Sequence, residues 1–91
     1  MQLQFTIHIW KKGDWFLAKC PELDFISQGT TRDEAEKNLM EVMQIQFEEM
    51  SLMGTLDDYL KECGYDFDKD TGTATPQAKM IGSESFEMQV V

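Results

Sequence analysis

The segment from Cys20 to Met43 constrains the fold of this chain most strongly, because it predicts a strand-to-helix junction and the start of a long helix. Within it, Thr31 stands three residues before Glu34, which is the spacing of a capping box. The Thr31 hydroxyl can accept a first-turn amide, and the Glu34 carboxylate can accept the amide of the cap residue. The sequence therefore predicts a helix over residues 32–50, preceded by a short strand over residues 23–28.

Apolar and polar residues alternate over positions 2–10, which predicts a half-buried strand. A polar turn follows, and residues 15–20 predict a second strand that pairs with the first. With residues 12–13 as the turn, Trp10 would lie opposite Trp15. The tryptophans then form an interface, unless the second helix or the loop that follows it covers them. The outward face of this hairpin would carry Thr6, His8, Trp10, Trp15 and Leu17.

The predicted helix has apolar residues at 3.6-residue spacing, so we expect it to pack on one face of the sheet. The predicted stripe comprises Ala35, Leu39, Val42, Met43 and Met50, widened by Met40 and Phe47. A short helix over residues 55–63, a loop over 65–84 and a last strand over 85–91 follow the 2–50 core. Residues 1–91 thus predict one α+β domain of two layers. Its order is β-β-β-α-(α)-β, with one main helix packed on one face of an antiparallel sheet.

The chain is acidic: 17 acidic and eight basic residues give a formal net charge of −9. A field of that sign repels nucleic acid and favours a basic protein partner, although acidity also serves solubility alone. The apolar runs are too short for a membrane span, and no basic-then-apolar stretch indicates a signal peptide. We therefore expect a cytoplasmic protein that does not bind nucleic acid or membrane directly.

Residues that could carry catalysis or bind a metal form no recognisable site in the sequence. His8 is the only histidine, and no acid or second ligand stands at a fixed spacing from it. The run from Asp66 begins like a calcium loop, but its sixth position is Thr71 instead of glycine and its twelfth is Gln77 instead of glutamate. We therefore expect no metal, no cofactor and no enzymatic activity.

The two cysteines, Cys20 and Cys63, do not have metal or redox spacing. One disulfide is possible, whereas two buried free thiols are favoured in a cytosolic chain. Cys20 precedes a proline on the expected core side of its strand, so we expect an inert thiol there.

A K-x-G-D-W turn, a strand ending A-K-C-P-E-L-D and a helix start S-Q-G-T-T-R-D-E-A occur in this order. The arrangement resembles the HicB-type antitoxin family of prokaryotic toxin–antitoxin modules. The resemblance covers residues 3–50 well and residues 51–91 in outline only. The residues that carry it are Gly13, Asp14, Trp15, Ala18, Cys20, Pro21, Glu22, Leu23, Gln28, Gly29, Thr31, Glu34, Ala35 and Leu39.

This resemblance implies a partial ribonuclease-H-like fold without its catalytic acids. It also implies a small basic HicA-type toxin as partner, which degrades messenger RNA through a single histidine. Antitoxins of the family often assemble as dimers or tetramers, and many carry a C-terminal DNA-binding module. We expect no such module here, because the sequence reaches Val91 directly after the predicted last strand.

We therefore hypothesise an antitoxin-like binding module, whose acidic surface steers a basic toxin towards it. Its aromatic strand face or a helix flank would supply the buried contact. The alternative is a stand-alone oligomerising or scaffold domain with an unrelated protein partner. The residues predicted to face the partner are Trp10, Trp15, Leu17, Glu22, Asp24 and Phe25.

Overall fold

The computed structural model describes residues 1–91 and contains six strands and two helices, which confirms the predicted α+β class. The strands form two three-stranded sheets instead of the single sheet predicted: a first sheet ordered β2-β3-β4 and a second sheet ordered β1-β6-β5. The elements are β1 Gln2–Leu3, β2 His8–Lys12, β3 Trp15–Cys20, β4 Phe25–Gly29, α1 Arg32–Met53, α2 Leu56–Glu62, β5 Tyr65–Asp68 and β6 Thr73–Pro76.

The β2–β3 hairpin forms as predicted, but its turn lies one residue further along the chain. The turn residues are Gly13 and Asp14, and Trp10 lies opposite Leu17 instead of Trp15. Gly13 has a φ of 59°, and a type II′ hairpin requires a positive φ at the first of its two turn residues. The register therefore shifts by two residues, an even number, which leaves every side chain on its predicted face.

Helix α1 begins where the capping-box spacing predicts. The Thr31 hydroxyl accepts the Glu34 amide at 3.0 Å. The predicted donor to the Glu34 carboxylate was the amide of Thr31, but the donor is Thr30, one residue earlier. Its amide donates at 3.3 Å and its hydroxyl at 2.9 Å. The helix ends at Met53, three residues later than predicted, where Gly54 adopts a left-handed φ of 74° that closes the last turn.

The core lies between α1 and the inner face of the first sheet, with contributions from α2 and the second sheet. From the predicted stripe of α1, Ala35, Leu39 and Met43 are buried, whereas Val42 is exposed. Val42 lies on the side of α1 towards the outer edge of β4, where the Asn38 amide donates to the Gln28 carbonyl and no further strand follows. The buried core residues are Ala18, Cys20, Leu23, Ala35, Leu39, Met43, Leu60, Tyr65 and Ala74.

The predicted N-terminal strand is wrong as one continuous element, because the chain is divided between the two sheets. β1 pairs in parallel with β6, with Leu3 opposite Ala74. The Gln4 amide extends this ladder by donating to the Ala74 carbonyl at 3.0 Å. Pro76 has no N–H to donate to the Gln4 carbonyl, and the Tyr65 hydroxyl donates to that carbonyl instead, at 2.8 Å. The ladder ends there, and the chain departs to form β2.

The predicted loop over residues 65–84 is wrong for residues 65–76, and the predicted last strand over 85–91 is wrong. Residues 65–76 contain the antiparallel β5–β6 hairpin, while residues 77–91 have no regular secondary structure. The acidic run that began like a calcium loop forms the hairpin turn, in which the Asp70 amide donates to an Asp68 carboxylate oxygen at 2.9 Å. The hairpin is stabilised because Tyr65 and Ala74 enter the core.

The short helix is confirmed as α2, Leu56–Glu62, and the C′ residue Gly64 has a positive φ of 81°. Neither helix is long and apolar enough to cross a membrane.

Candidate interaction surfaces

The outer face of the first sheet, turned away from α1, exposes large apolar side chains. We call Trp10, Trp15, Leu17 and Ile26 the aromatic face. Trp10, Trp15 and Ile26 are 59%, 49% and 61% exposed, and Leu17 is half-buried beside Trp10. Neither α2 nor the β5–β6 hairpin covers the tryptophans. Exposed apolar groups clustered in this way mark interaction sites.

The hairpin that carries the aromatic face is basic, although the chain is acidic. Residues 8–20 contain Lys11, Lys12 and Lys19 against the single acid Asp14, which gives a formal charge of +2. Lys12 and Lys19 lie on the same side of the sheet as Trp10. Lys11 lies on the side of α1, where its ammonium is 5.9 Å from the centre of the Phe16 ring, within range of a cation–π interaction. This surface therefore suits an acidic or neutral partner and repels a basic one at close range.

Glu22, one of the residues predicted to face a partner, fastens the N-terminal segment to the β3–β4 turn. Its two carboxylate oxygens accept the Thr6 hydroxyl at 2.9 and 2.8 Å and the Thr6 amide at 3.2 and 3.1 Å. Partial burial acts to raise the pKa of Glu22, but hydrogen bonds from Thr6 and from its own amide outweigh burial and lower that pKa. The position of Glu22 is therefore set by a contact within the chain.

Replacing Glu22 with glutamine is expected to lower the free energy of unfolding by about 1–2 kcal/mol at pH 7, because bonds to a charged acceptor are lost. The folded pKa lies below the usual value of 4.5. The stabilisation that the Glu22 carboxylate gives the folded state is therefore fully present above pH 4.5. It is lost as the pH falls through the folded pKa. Urea unfolding should show a difference between wild type and variant that shrinks at acidic pH.

The matched control is Glu62→Gln, which removes the same charge from an exposed position on α2 and should change stability by less than about 0.5 kcal/mol. A difference between wild type and Glu22→Gln that stays constant from pH 7 to acidic pH would contradict this role.

Asp24 and Phe25 lie beyond the end of β3, apart from the aromatic face. Asp24 is exposed and has a φ of 57°, a left-handed conformation that aspartate tolerates in turns. The Phe25 ring packs edge-on against Phe47 of α1, with ring centres 5.8 Å apart at 81°. Of the six predicted residues, the structure therefore groups Trp10, Trp15 and Leu17 and separates Glu22, Asp24 and Phe25 from them.

Both cysteines are free thiols; Cys20 is buried and Cys63 is half-buried. Burial is the main cause that raises the pKa of Cys20 to about 11, and the nearby Glu22 carboxylate raises it further. Since the thiolate is the reactive form, Cys20 is inert at neutral pH.

With Ellman's reagent at pH 8, the native protein is expected to react at Cys63 first and at Cys20 only on unfolding. A Cys63→Ser variant should therefore show no fast phase, and a Cys20→Ser variant should keep it. Equally fast release from both thiols of the native protein would contradict the burial of Cys20.

A second exposed apolar row lies on α1; a helix flank was predicted as an alternative contact surface, but its residues were not among those predicted to face the partner. Val42, Ile45 and Leu52 share one flank of the helix with Glu49 between them, at i, i+3, i+7 and i+10 spacing. Ile45 and Leu52 are 60% and 91% exposed. The spacing could have revealed this row, but Val42 fitted the core stripe equally well. We call this surface the acidic flank, which comprises Glu41, Val42, Ile45, Glu48, Glu49 and Leu52.

The acidic flank belongs to a strongly negative helix. Arg32–Met53 contains six acids and two bases, which gives a formal charge of −4. Because α1 covers the inner face of the first sheet, this negative charge and the ammonium groups of Lys12 and Lys19 lie on opposite sides of the sheet. The molecule therefore presents an acidic aliphatic side and a basic aromatic side.

No three histidine, cysteine, aspartate or glutamate side chains meet as a group that could hold a metal ion. His8 lies half-buried on β2, opposite Lys19.

Comparisons with protein-family models, with curated proteins and with solved structures found no match to this chain.

Proposed function

We propose that this chain is an antitoxin-like binding module of a type II toxin–antitoxin system. It neutralises a small basic HicA-type toxin, which degrades messenger RNA, by protein–protein contact in the cytoplasm. The observation that carries this proposal is the acidic flank, where Ile45 and Leu52 are exposed among the carboxylates of a helix with a charge of −4. The resemblance of residues 3–50 to HicB-type antitoxins supports it.

The two candidate surfaces differ in which partner they suit. A basic toxin that approaches the aromatic face meets Lys12 and Lys19, and like charges placed against each other cost several kcal/mol. On the acidic flank, the same toxin meets Glu41, Glu48 and Glu49. We therefore place the toxin on the acidic flank.

Apolar and charged groups have separate roles on this flank. The carboxylates attract the toxin over about 10 Å at physiological salt and raise the association rate. Burial of Val42, Ile45 and Leu52 then supplies binding free energy, on the order of 25 cal/mol for each Å² of apolar surface removed from water. Covering the toxin's active site in this way needs no catalytic group, metal or cofactor in the antitoxin.

The test uses the purified product of the small basic reading frame adjacent to this one and a messenger RNA substrate. RNA cleavage by that product should stop when the present chain is added at about one equivalent. Unchanged cleavage in a large excess of the chain would contradict the proposal. RNA cleavage by the present chain alone would also contradict it.

The second candidate function is a stand-alone oligomerising or scaffold domain with an unrelated partner. The exposure of Trp10 and Trp15 on a basic hairpin favours it, because that surface does not suit a basic toxin. The absence of a toxin-sized basic frame beside the gene, together with self-association of the chain, would favour this function over the antitoxin.

A further inference from the structure

The C-terminal segment, residues 84–91, leaves the folded body with its apolar side chains in water. Phe86, Met88 and Val90 alternate with Glu87 and Gln89, and each of the three apolar residues is at least 80% exposed. The radius of gyration is 15.8 Å, against about 12 Å for a compact chain of this length. Period-two alternation is the pattern of a strand with one apolar side, and here no neighbouring strand pairs with it.

The first sheet has one edge that is open to such a strand. At the β4 edge, α1 already occupies a backbone acceptor, because the Asn38 amide donates to the Gln28 carbonyl at 2.9 Å. At the opposite edge, β2 (His8–Lys12) pairs with β3 on one side only. Its other side carries unpaired backbone N–H and C=O groups, which form a template for strand addition.

The charges of the segment and the edge are complementary. The segment contains Glu84 and Glu87 and no base, whereas β2 ends in Lys11 and Lys12. Lysines on an edge strand oppose indiscriminate pairing, and a strand that brings its own carboxylates offsets that repulsion. The edge therefore selects an acidic strand.

The segment of the same molecule does not lie along this edge. The β1–β6 ladder ends at Pro76, and residues 77–91 pair with no strand of their own chain. A second copy can supply the strand, and a reciprocal exchange gives a closed two-fold assembly.

We propose that residues 84–91 of one copy add as a strand to the free β2 edge of a second copy, and that the two copies exchange these segments. Phe86, Met88 and Val90 then line up beside Trp10 and extend the aromatic face. Glu87 and Gln89 lie on the other side of the added strand, which is the side of Ile9 and Lys11. This inference does not rest on the toxin-binding function, because the acidic flank takes no part in the exchange.

The test is light scattering coupled to size exclusion on the full chain and on a Phe86→Ser/Met88→Ser variant. The wild type is expected at about twice the 10.5 kDa mass of one chain and the variant at the mass of one chain. Acrylamide quenching of tryptophan fluorescence should increase in the variant, because Trp10 loses its neighbouring strand. The matched control is Ile81→Ser, a fully exposed apolar position before the segment, which should remain dimeric.

Three results would overturn the inference. One is a wild type with the mass of a single chain at about 100 µM. Another is a dimer that persists in the Phe86→Ser/Met88→Ser variant. The third is saturable quenching of the tryptophans by a single-stranded oligonucleotide in the wild type, which would assign the aromatic face to base stacking instead.

Discussion

Replacing Gly29 with alanine is expected to lower the free energy of unfolding by about 3 kcal/mol, a large part of the stability of a small domain. A Cβ atom at this position would lie 2.6 Å from the Ala35 amide nitrogen and 2.9 Å from both the carbonyl carbon and the Cβ of Glu34. The nearest of these atoms belong to the backbone in the first turn of α1, so no side-chain rotation relieves the overlap. The first sheet and α1 would have to separate.

Chemical denaturation measures this effect directly, with Gly82→Ala as the matched control. No atom lies within 4 Å of a Cβ built at Gly82, so its replacement should change stability by less than about 0.5 kcal/mol. Equal stabilities for Gly29→Ala and wild type would show that β4 and α1 do not approach each other as closely as described.

Replacing Ile45 with lysine is expected to weaken binding of the proposed basic toxin about 100-fold, or about 2.7 kcal/mol. The substitution removes an apolar side chain from the centre of the acidic flank and introduces a charge of the same sign as the toxin. Because Ile45 is 60% exposed in the free protein, the stability of the chain should be nearly unchanged. Calorimetric titration of the variant with the toxin measures the loss.

The matched control is Ser51→Lys, which adds the same charge to the same helix at an exposed position. Helical geometry places Ser51 about 120° away from Ile45, outside the acidic flank. Its affinity should fall only slightly. If both variants bind as tightly as the wild type, the toxin does not contact this flank.

The parts of the fold that were predicted correctly depend on local signals. The β2–β3 turn depends on Gly13, and the start of α1 depends on Thr31 and Glu34, which act within a few residues of one another. The division of the predicted N-terminal strand between two sheets could not be predicted from nearby residues, because it depends on Pro76 and Tyr65. The Tyr65 hydroxyl bonds the Gln4 carbonyl across 61 positions of sequence.

The candidate surfaces were predicted unevenly for a related reason. Trp10 and Leu17 could be placed on one face because strand alternation survives a register shift of two residues. Glu22 looked like a free carboxylate, since nothing near it in sequence reveals its bonds to Thr6, 16 residues earlier. The spacing of Ile45 and Leu52 could have indicated a surface row, but Val42 fitted the core stripe equally well until the edge of β4 showed where the sheet beneath α1 ends.

The most direct test of the central claim, that this chain acts by charge-steered docking of a basic protein, is a calorimetric titration with the toxin at two salt concentrations. Tight binding is expected at about 50 mM NaCl, with an affinity at least about tenfold weaker at about 300 mM, since screening shortens the reach of the carboxylates. No heat of binding at the lower salt concentration, or an affinity that salt leaves unchanged, would contradict the claim.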